Sequence, residues 1–539
     1  MIAALLLLAL GQQSDLGRTN GDLSRSAPLQ LLDESVRQGA ISELNFAGTG
    51  VSCTRTSNRG NCSIDAGAAV GDIRLNSTYQ TQGTLTLYVD KGGSDSNACT
   101  TAATACLTIA GAQAKLPRFL AHNTTINVDA GTYTESVTLQ DMYARKSVTL
   151  TLAGQTPIAV TPTTGSATGT LTGYAAASPT AIGTLTDSTQ SWTTNDLRGR
   201  FVRMTSGSAN GQRRAIVGNT ATVLEIAGAY TANPAAGNSY QIETPSTIIS
   251  GSMNIGRNVL MSSSTSILFE LRQLDLTSAS STVTVDRGFQ PAIRFPDSRI
   301  LSSSSASPAL TTPSIRTPTA SPTIIMATGS GNAAISWTGR APATLSYGNA
   351  GQPPGAYIYS AGSSAILSSG LSLSSTSAQM TGVIETGSST APVISIASGS
   401  YLWTLPVGDA STGYQFIRCP SGSTGVGLLL NVTSTNSSEE SQSSFGLNRV
   451  TIMNCGTGIR AGGGFGVSLQ RAITFISTTT ALLLQNGATA SINAGNPPTF
   501  TGVTNEIQVD GTNYTYATLI SLSPAAITGA ATRTSAWAY

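Results

Sequence analysis

The recurring feature of the chain is a short apolar run closed by a small or polar turn. From about Ser246 onward these runs return at intervals of roughly 20–25 residues, within the period range of coiled repeat folds. They read STIISGSMNIGRNVLMSS, STSILFELRQLDLTS, AILSSGLSLSS, APVISIASGSYLW, NRVTIMNCGTGIRAGG, GVSLQRAITFIS and TALLLQNGATASINA. Each predicts a strand ended by Gly, Asn or Ser, and one or more such strands per repeat predict the coils of a parallel β-helix. Val450 to Gly511 is the most regular stretch. The Pro-rich segments near 307–323 and 351–356 predict loops or interruptions of the coil.

Other patterns precede the repeats. LQLLDESVRQ is weakly helical in pattern, and ELNFAGTGVSCTRTSNRGNCSIDAG sets β-type runs on either side of a Gly/Asn/Arg turn, a hairpin signal. Tyr88-Val89 predicts a strand, Gly92-Gly93-Ser94-Asp95 a tight turn, and Leu107 to Leu116 a short helix before Pro117. The first coil of a solenoid has no neighbour to cover its core, so such a helix would cap it. Thr125 to Val128 and Val137 to Leu139 then alternate as strands of that coil. From about Gly165 to Glu243 short strands, polar turns and a buried Trp192 predict a small β-barrel insert. Within it Arg198, Arg200, Arg203, Arg213 and Arg214 follow Asp196 with no carboxylate between the first and the last. They read as a solvated barrel face or as a patch for an anionic polysaccharide.

The pattern LLDES…LNFAGTGVSCT…NCSI resembles a small β-module near the N-termini of phage tail fibres and of some exported bacterial fibre proteins. LYVDKGGSDSNACTTAATACLTIAGAQAKLPRFLAHNTTINVDAGTYTESVTL is similar to the opening of pectin-lyase-like right-handed β-helices, especially those of phage tailspikes and tail fibres. The segment around LTDSTQSWTTNDLRGRFVRM resembles a small barrel insert that recurs in phage tail proteins. These resemblances imply an all-β chain, a right-handed parallel β-helix with a barrel insert and an N-terminal hairpin module, three copies side by side. The expected segments are 1–11, a signal peptide or apolar plug; 12–82, the hairpin module; 83–164, the β-helix cap and first coils; 165–245, the barrel; 246–511, the main β-helix; and 512–539, a C-terminal cap.

Composition narrows the function. Among 539 residues only 10% are charged, against roughly 25% in an ordinary soluble domain. The 40% hydrophobic content still supplies enough apolar surface to offset ordering entropy. A net charge of +2 argues against a nucleic-acid partner, and the single histidine, His122, argues against zinc chemistry or a Ser-His-Asp hydrolase. The opening MIAALLLLALG is too short to span a bilayer and reads as a signal-peptide core with Ala9-x-Gly11 as cleavage site, although no basic residue precedes it. No later stretch reaches spanning length, so no membrane span is expected in the mature chain. The six cysteines fall into near neighbours, Cys53 with Cys62, Cys99 with Cys106 and Cys419 with Cys455, which predicts local disulfides and an oxidising compartment. Unpaired core cysteines are the alternative.

Catalysis finds little support. Between Asp297 and Asp409 the only carboxylate is Glu385. Earlier, Glu270 and Asp275 are five apart and would point to opposite faces of one strand, and Asp286 and Asp297 lie about half a coil apart. Asp275 and Asp297, 22 apart, are the one pair near a full coil and the candidate catalytic pair of a hydrolase or lyase. Read as structure, they cap turns. Glu439-Glu440 reads as an exposed loop, and Asp90 and Asp95 as turn formers rather than calcium ligands. No metal or other cofactor is expected.

Binding is better supported. Trp337, Tyr347, Tyr357, Tyr359, Tyr401 and Trp403 cluster in a chain only 6% aromatic. Tyr357 with Tyr359, and Tyr401 with Trp403, share a strand face and could stack on sugar rings while Ser, Thr and Asn bond the hydroxyls. The competing reading is core and rim packing. The expected function is an extracellular fibre or spike, on a virion tail or exported by a bacterium, that recognises a cell-surface polysaccharide or lipopolysaccharide. A polysaccharide lyase or glycoside hydrolase on the same scaffold is the alternative, and a structural spacer the third reading.

Overall fold

Contact density divides the chain at residue 76 into Met1–Asn76 and Ser77–Tyr539. The computed structural model describes residues 32–33, 36–37, 51–56, 59–64 and 80–514, apart from 145, 257–258, 261–266, 280–281, 286–291, 313–314, 317–320, 338–344, 347–354, 370–381, 398–402, 405–414, 432–443, 463–465, 487, 493–496 and 510–511.

In the first unit, Val51–Thr56 and Arg59–Ile64 form the expected antiparallel hairpin, in register with Cys53 opposite Cys62. The weak helical pattern of LQLLDESVRQ is not realised. Leu32–Asp33 and Val36–Arg37 pair antiparallel instead. Ten residues are too few for helical periodicity to outweigh such pairing, since short helices are marginal without packing.

In the second unit parallel pairing dominates. A 12-stranded and an 11-stranded sheet run the length of a solenoid, and its third side is made of shorter sheets of five, three, two and four strands. A representative coil runs through Leu274–Ser278, Val283–Val285 and Ala292–Arg294 before Ser298–Ser302 re-enters the 11-stranded sheet. Parallel β-helix is thus the fold. Coils are uneven: residues bridging neighbouring coils are 24 apart at Asp275 and Arg299, but 33 apart at Glu385 and Arg418. Among the described residues of the Pro-rich 307–323 stretch, Leu310–Thr312 stays in the 12-stranded sheet. It pairs with both Val283–Val285 and Ile335–Trp337, because Pro308 lies before the strand and removes no ladder donor from it.

Stacked side chains build the core. In the 11-stranded sheet Leu276, Ile300, Ile325, Ile358, Ile384, Ile417, Ile452 and Phe475 are successive Cα partners, and all are buried. Each such side chain contributes roughly 1.5–3 kcal/mol on leaving water. The corner entering this sheet is a repeated backbone device. Gln273, Asp297, Arg449 and Ala472 each adopt positive φ just before its strands. Corner hydroxyls bond main-chain carbonyls of the preceding coil: Thr323 Oγ1 donates to Phe295 O at 2.8 Å and Ser360 Oγ to Asn332 O at 2.6 Å.

The first coil is capped as the sequence predicts, by a shorter helix, Ile109–Gln113, whose Ile109 and Ala112 are buried. Two carboxylates accept from its N-terminal amides. Asp95 takes Leu107 N at 3.0 Å and Thr108 N at 2.9 Å, and Glu135 takes Ile109 N at 2.9 Å and Ala110 N at 3.0 Å. The loop before the helix is closed by Cys99–Cys106, and Cys419–Cys455 ties one coil to the next, 36 residues on.

Between Ala153 and Thr247 the chain leaves the solenoid and forms an eight-stranded antiparallel sheet. Thr168–Thr170 pairs with Ser239–Thr244, and Gly173–Ala175, two residues on, pairs with Gly183–Thr186. This bent segment joins the two ends of the sheet and closes it into a barrel. Alternation along its strands sorts side chains between two cores. Val202, Ile216, Trp192 and Tyr240 fill the barrel, whereas Phe201, Ala215 and Val217 belong to a cluster shared with the solenoid.

Candidate functional site

That shared cluster joins Phe201, Ala215, Val217 and Ala227 of the barrel to Ile324, Tyr357, Val383 and Phe416 of the 11-stranded sheet. The solenoid residues form one outward column of Cα partners. The barrel therefore lies over the outer face of the middle coils. This is why that face carries so few acid–base groups in the sequence: it is an interior.

Of the predicted aromatic residues, Tyr357 lies within this interface and Tyr359 packs against it. Tyr357 and Tyr359 do share a face, with ring centroids 6.1 Å apart. The face is covered, however, and Tyr357 is 0% exposed, out of reach of a sugar. Its hydroxyl donates to Glu385 Oε1 at 2.5 Å. Burial first, and the Glu385 charge second, push the Tyr357 phenol well above its ordinary range. The Arg198 guanidinium from the barrel sits over the Tyr359 ring, 4.8 Å from its centroid. Trp337 shares a register with Ser368 and Ile396, and Trp403 with Phe445 and Val467. The side chains of Trp337 and Trp403, together with Tyr347 and Tyr401, lie outside the described residues.

The candidate catalytic carboxylates and Glu385 are each bound to an arginine. Asp275 does not stack on Asp297. Its Cα partner in the next coil is Arg299, which grips it through Nε at 3.0 Å and through Nη2. The 22-residue spacing falls short of the true coil repeat by two, which offsets Asp297 onto the corner. There Asp297 Oδ2 meets Arg213 Nη1 at 3.4 Å and Ser321 Oγ at 3.2 Å, while Oδ1 is buried without a partner. Burial holds the Asp297 carboxyl above its usual range, against the Arg213 charge. Glu385, the lone mid-solenoid acid, accepts Arg418 Nε at 2.6 Å, and Arg418 Nη1 reaches Glu225 of the barrel at 2.7 Å. Burial opposes the charge on Arg418, but the two glutamates outweigh it and hold the guanidinium protonated.

The barrel arginines are not one solvated face. Arg203 and Arg213 share Glu243, at 2.5 and 2.8 Å, and Arg198 approaches Glu385 at 3.9 Å. Arg214 is buried, donating to Ala229 O and Arg213 O and lying 4.5 Å from the Tyr230 ring centroid. Asp90 and Asp95 are turn and cap residues, as expected, with Asp90 Oδ1 accepting from Gly92 N at 2.6 Å. No group of three or more His, Cys, Asp or Glu residues able to hold a metal is found among the described residues. No described helix is long and apolar enough to cross a membrane. Glu439, Glu440 and Asp286 lie outside the described residues.

Sequence reasoning missed the covering of this face, yet a signal was present. The middle strands read TIIMA, AYIYS, GVIET and QFIR, with apolar residues at consecutive rather than alternate positions. That is the pattern of a strand buried on both faces.

No family model and no curated protein matches the chain. Among solved structures it is similar to the tailspike gp61 of Pseudomonas phage phi297, at 11% identity and a TM-score of 0.21, over 72% of this chain and 66% of that one. A likeness of that size carries no weight for function.

Proposed function

We propose that this chain is an extracellular spike that recognises a cell-surface glycan, a polysaccharide or lipopolysaccharide, and holds it without cutting it. The observation that supports binding over cleavage is the state of the carboxylates. Asp275 is gripped through both of its oxygens by Arg299, Asp297 is held by Arg213, and Glu385 is held by Arg418 and Tyr357. A general acid or base needs a proton-transfer partner within reach of substrate, and an acid committed to a buried guanidinium offers none. Disulfides at the cap and between late coils fit an oxidising location, an exported surface protein or a virion tail. Three chains side by side, as the resemblance to tailspikes implies, would give a solution mass of about three times 54.9 kDa, less any cleaved signal. A monomeric mass would refute that assembly.

Affinity electrophoresis through gels cast with capsular polysaccharide or lipopolysaccharide tests the reading. Retardation by at least one preparation supports it, and free migration through a broad panel refutes it. Release of oligosaccharides that is lost in Asp275→Asn would make the chain a depolymerase instead.

A further inference from the structure

A solenoid holds each coil through its neighbours, so a weakened coil disturbs the next one and little beyond it. The middle coils of this chain have a further partner. In the outward column of the 11-stranded sheet Arg299, Ile324, Tyr357, Val383, Phe416 and Thr451 are successive Cα partners. The first and last lie five coils apart, about 24 Å at one strand spacing per coil. The barrel is fastened along this whole length.

Its fastenings differ in kind from one end to the other. Where the chain leaves and rejoins the solenoid, Gln155 N donates to Thr247 Oγ1 at 3.0 Å and Ser246 Oγ to Thr156 O at 3.2 Å. These bonds pin the two connections together. Farther on, Arg213 meets Asp297 at 3.4 Å. Phe201, Ala215 and Val217 then share their cluster with Ile324, Tyr357, Val383 and Phe416, and Arg418 Nη1 donates to Glu225 Oε2 at 2.7 Å. At the far end Thr451, 1% exposed, donates through Oγ1 to Pro179 O at 2.6 Å. Leu301 and Met453, which flank the first and last of these coils, both pack against the same cluster.

The barrel also has a closed sheet and a core of its own, with Val202, Ile216 and Trp192 inside. It is therefore stiff by itself. Opening any one of the six coils beneath it requires the barrel to let go, and that gives up its contacts with the other five.

We propose that the barrel is a brace, coupling the coils from Ser298–Ser302 to Val450–Met453 into one unit that opens together. Such a unit replaces coil-by-coil opening in the middle of the spike and stiffens it along its axis. The inference stands apart from the glycan reading and holds whatever the spike binds.

Hydrogen exchange of the full-length chain, read by mass spectrometry on peptides from successive coils, tests it. Thr451→Val removes the bond to Pro179 with little change of shape. The brace predicts exchange about threefold or more faster at Ser298–Ser302, five coils away, the scale of one lost hydrogen bond. Asn505–Val509, in the coil of Thr499 and only two coils from Thr451 on the other side, should keep its wild-type rate. Phe201→Ala, on the barrel side of the interface, should speed exchange about tenfold or more and by a similar factor in all six coils. Val217→Ala serves if that chain does not fold. An effect of Thr451→Val that fades within a coil or two of residue 451 overturns the brace. So does acceleration that reaches Asn505–Val509 as strongly as Ser298–Ser302, because that is opening of the whole solenoid.

Discussion

Replacing Arg418 by Met keeps most of the side-chain volume and removes the charge that joins barrel to solenoid. In the native chain that guanidinium meets Glu385 at 2.6 Å and Glu225 at 2.7 Å. The Glu385 side chain is 5% exposed and the Glu225 side chain 38%, so the loss falls almost wholly on Glu385. Removing one partner of a buried pair costs about 3–5 kcal/mol, because the remaining charge stays desolvated. Tyr357 still donates to Glu385, and Arg198 remains 3.9 Å away, which places the expected loss near the lower end, about 3 kcal/mol. By contrast Glu225→Gln acts on a half-exposed acid and should cost under about 1 kcal/mol. Replacing both members, Arg418→Met with Glu385→Leu, removes the buried carboxylate and leaves only the partly exposed Arg198 without its acid, so it should recover part of the loss. Denaturant melts of the four chains at pH 7, followed by barrel tryptophan fluorescence, measure the set. A loss below about 1 kcal/mol for Arg418→Met, or no recovery in the double variant, would refute the reasoning.

Three further outcomes are expected. Asp187 lies in the barrel, where burial raises its pKa but donors from Thr189, Tyr240 and Gln190 outweigh burial and hold it below its usual value. A depressed folded pKa gives stability that is present above the unfolded value of about 3.9 and lost as pH falls through the folded one. Acid melts of Asp187→Asn should therefore show a shallower decline below about pH 4 than wild type, and an identical acid limb contradicts this. Cys419→Ser with Cys455→Ser opens a link spanning 36 residues and should lower stability by about 3–4 kcal/mol in the loop-entropy model. The same model gives less for Cys99–Cys106, separated by 7, so a larger loss there would count against it. Gly199 has φ +73, and a Cβ there would strike Met326 Sδ of the solenoid. Gly199→Ala should lower the melting temperature, and pairing it with Met326→Ala should relieve the clash but not the backbone strain.

The repeat was legible in the sequence because a solenoid writes its core as a period. Ile-x-Ile in APVISIASG and Leu-x-Leu in ALLLQ fall on inward positions such as Ile394, Ile396, Leu482 and Leu484. The capping helix was legible from its punctuation, and the Cys99 and Cys419 pairs from their spacing. The barrel's position was not. Its strands at 158–244 pack on coils far along the chain, from Ile324 to Phe416, and no local pattern encodes so distant a partner. The Tyr357 and Tyr359 pair was ambiguous for the same reason: Tyr-x-Tyr marks a shared strand face whether that face meets a sugar or a barrel. The catalytic pair misled through arithmetic, since a 22-residue spacing is near a coil but two short of the partner of Asp275.

The central claim, that the spike holds a surface glycan with its carboxylates locked away from catalysis, is tested most directly by the polymer itself. A polysaccharide retained by the chain is incubated with it to equilibrium, and its molar mass is followed by size-exclusion light scattering. The account predicts a complex with the polymer and, after the protein is removed, a polysaccharide of unchanged molar mass. A polymer that shortens with time, and stops shortening in Asp275→Asn, would contradict it.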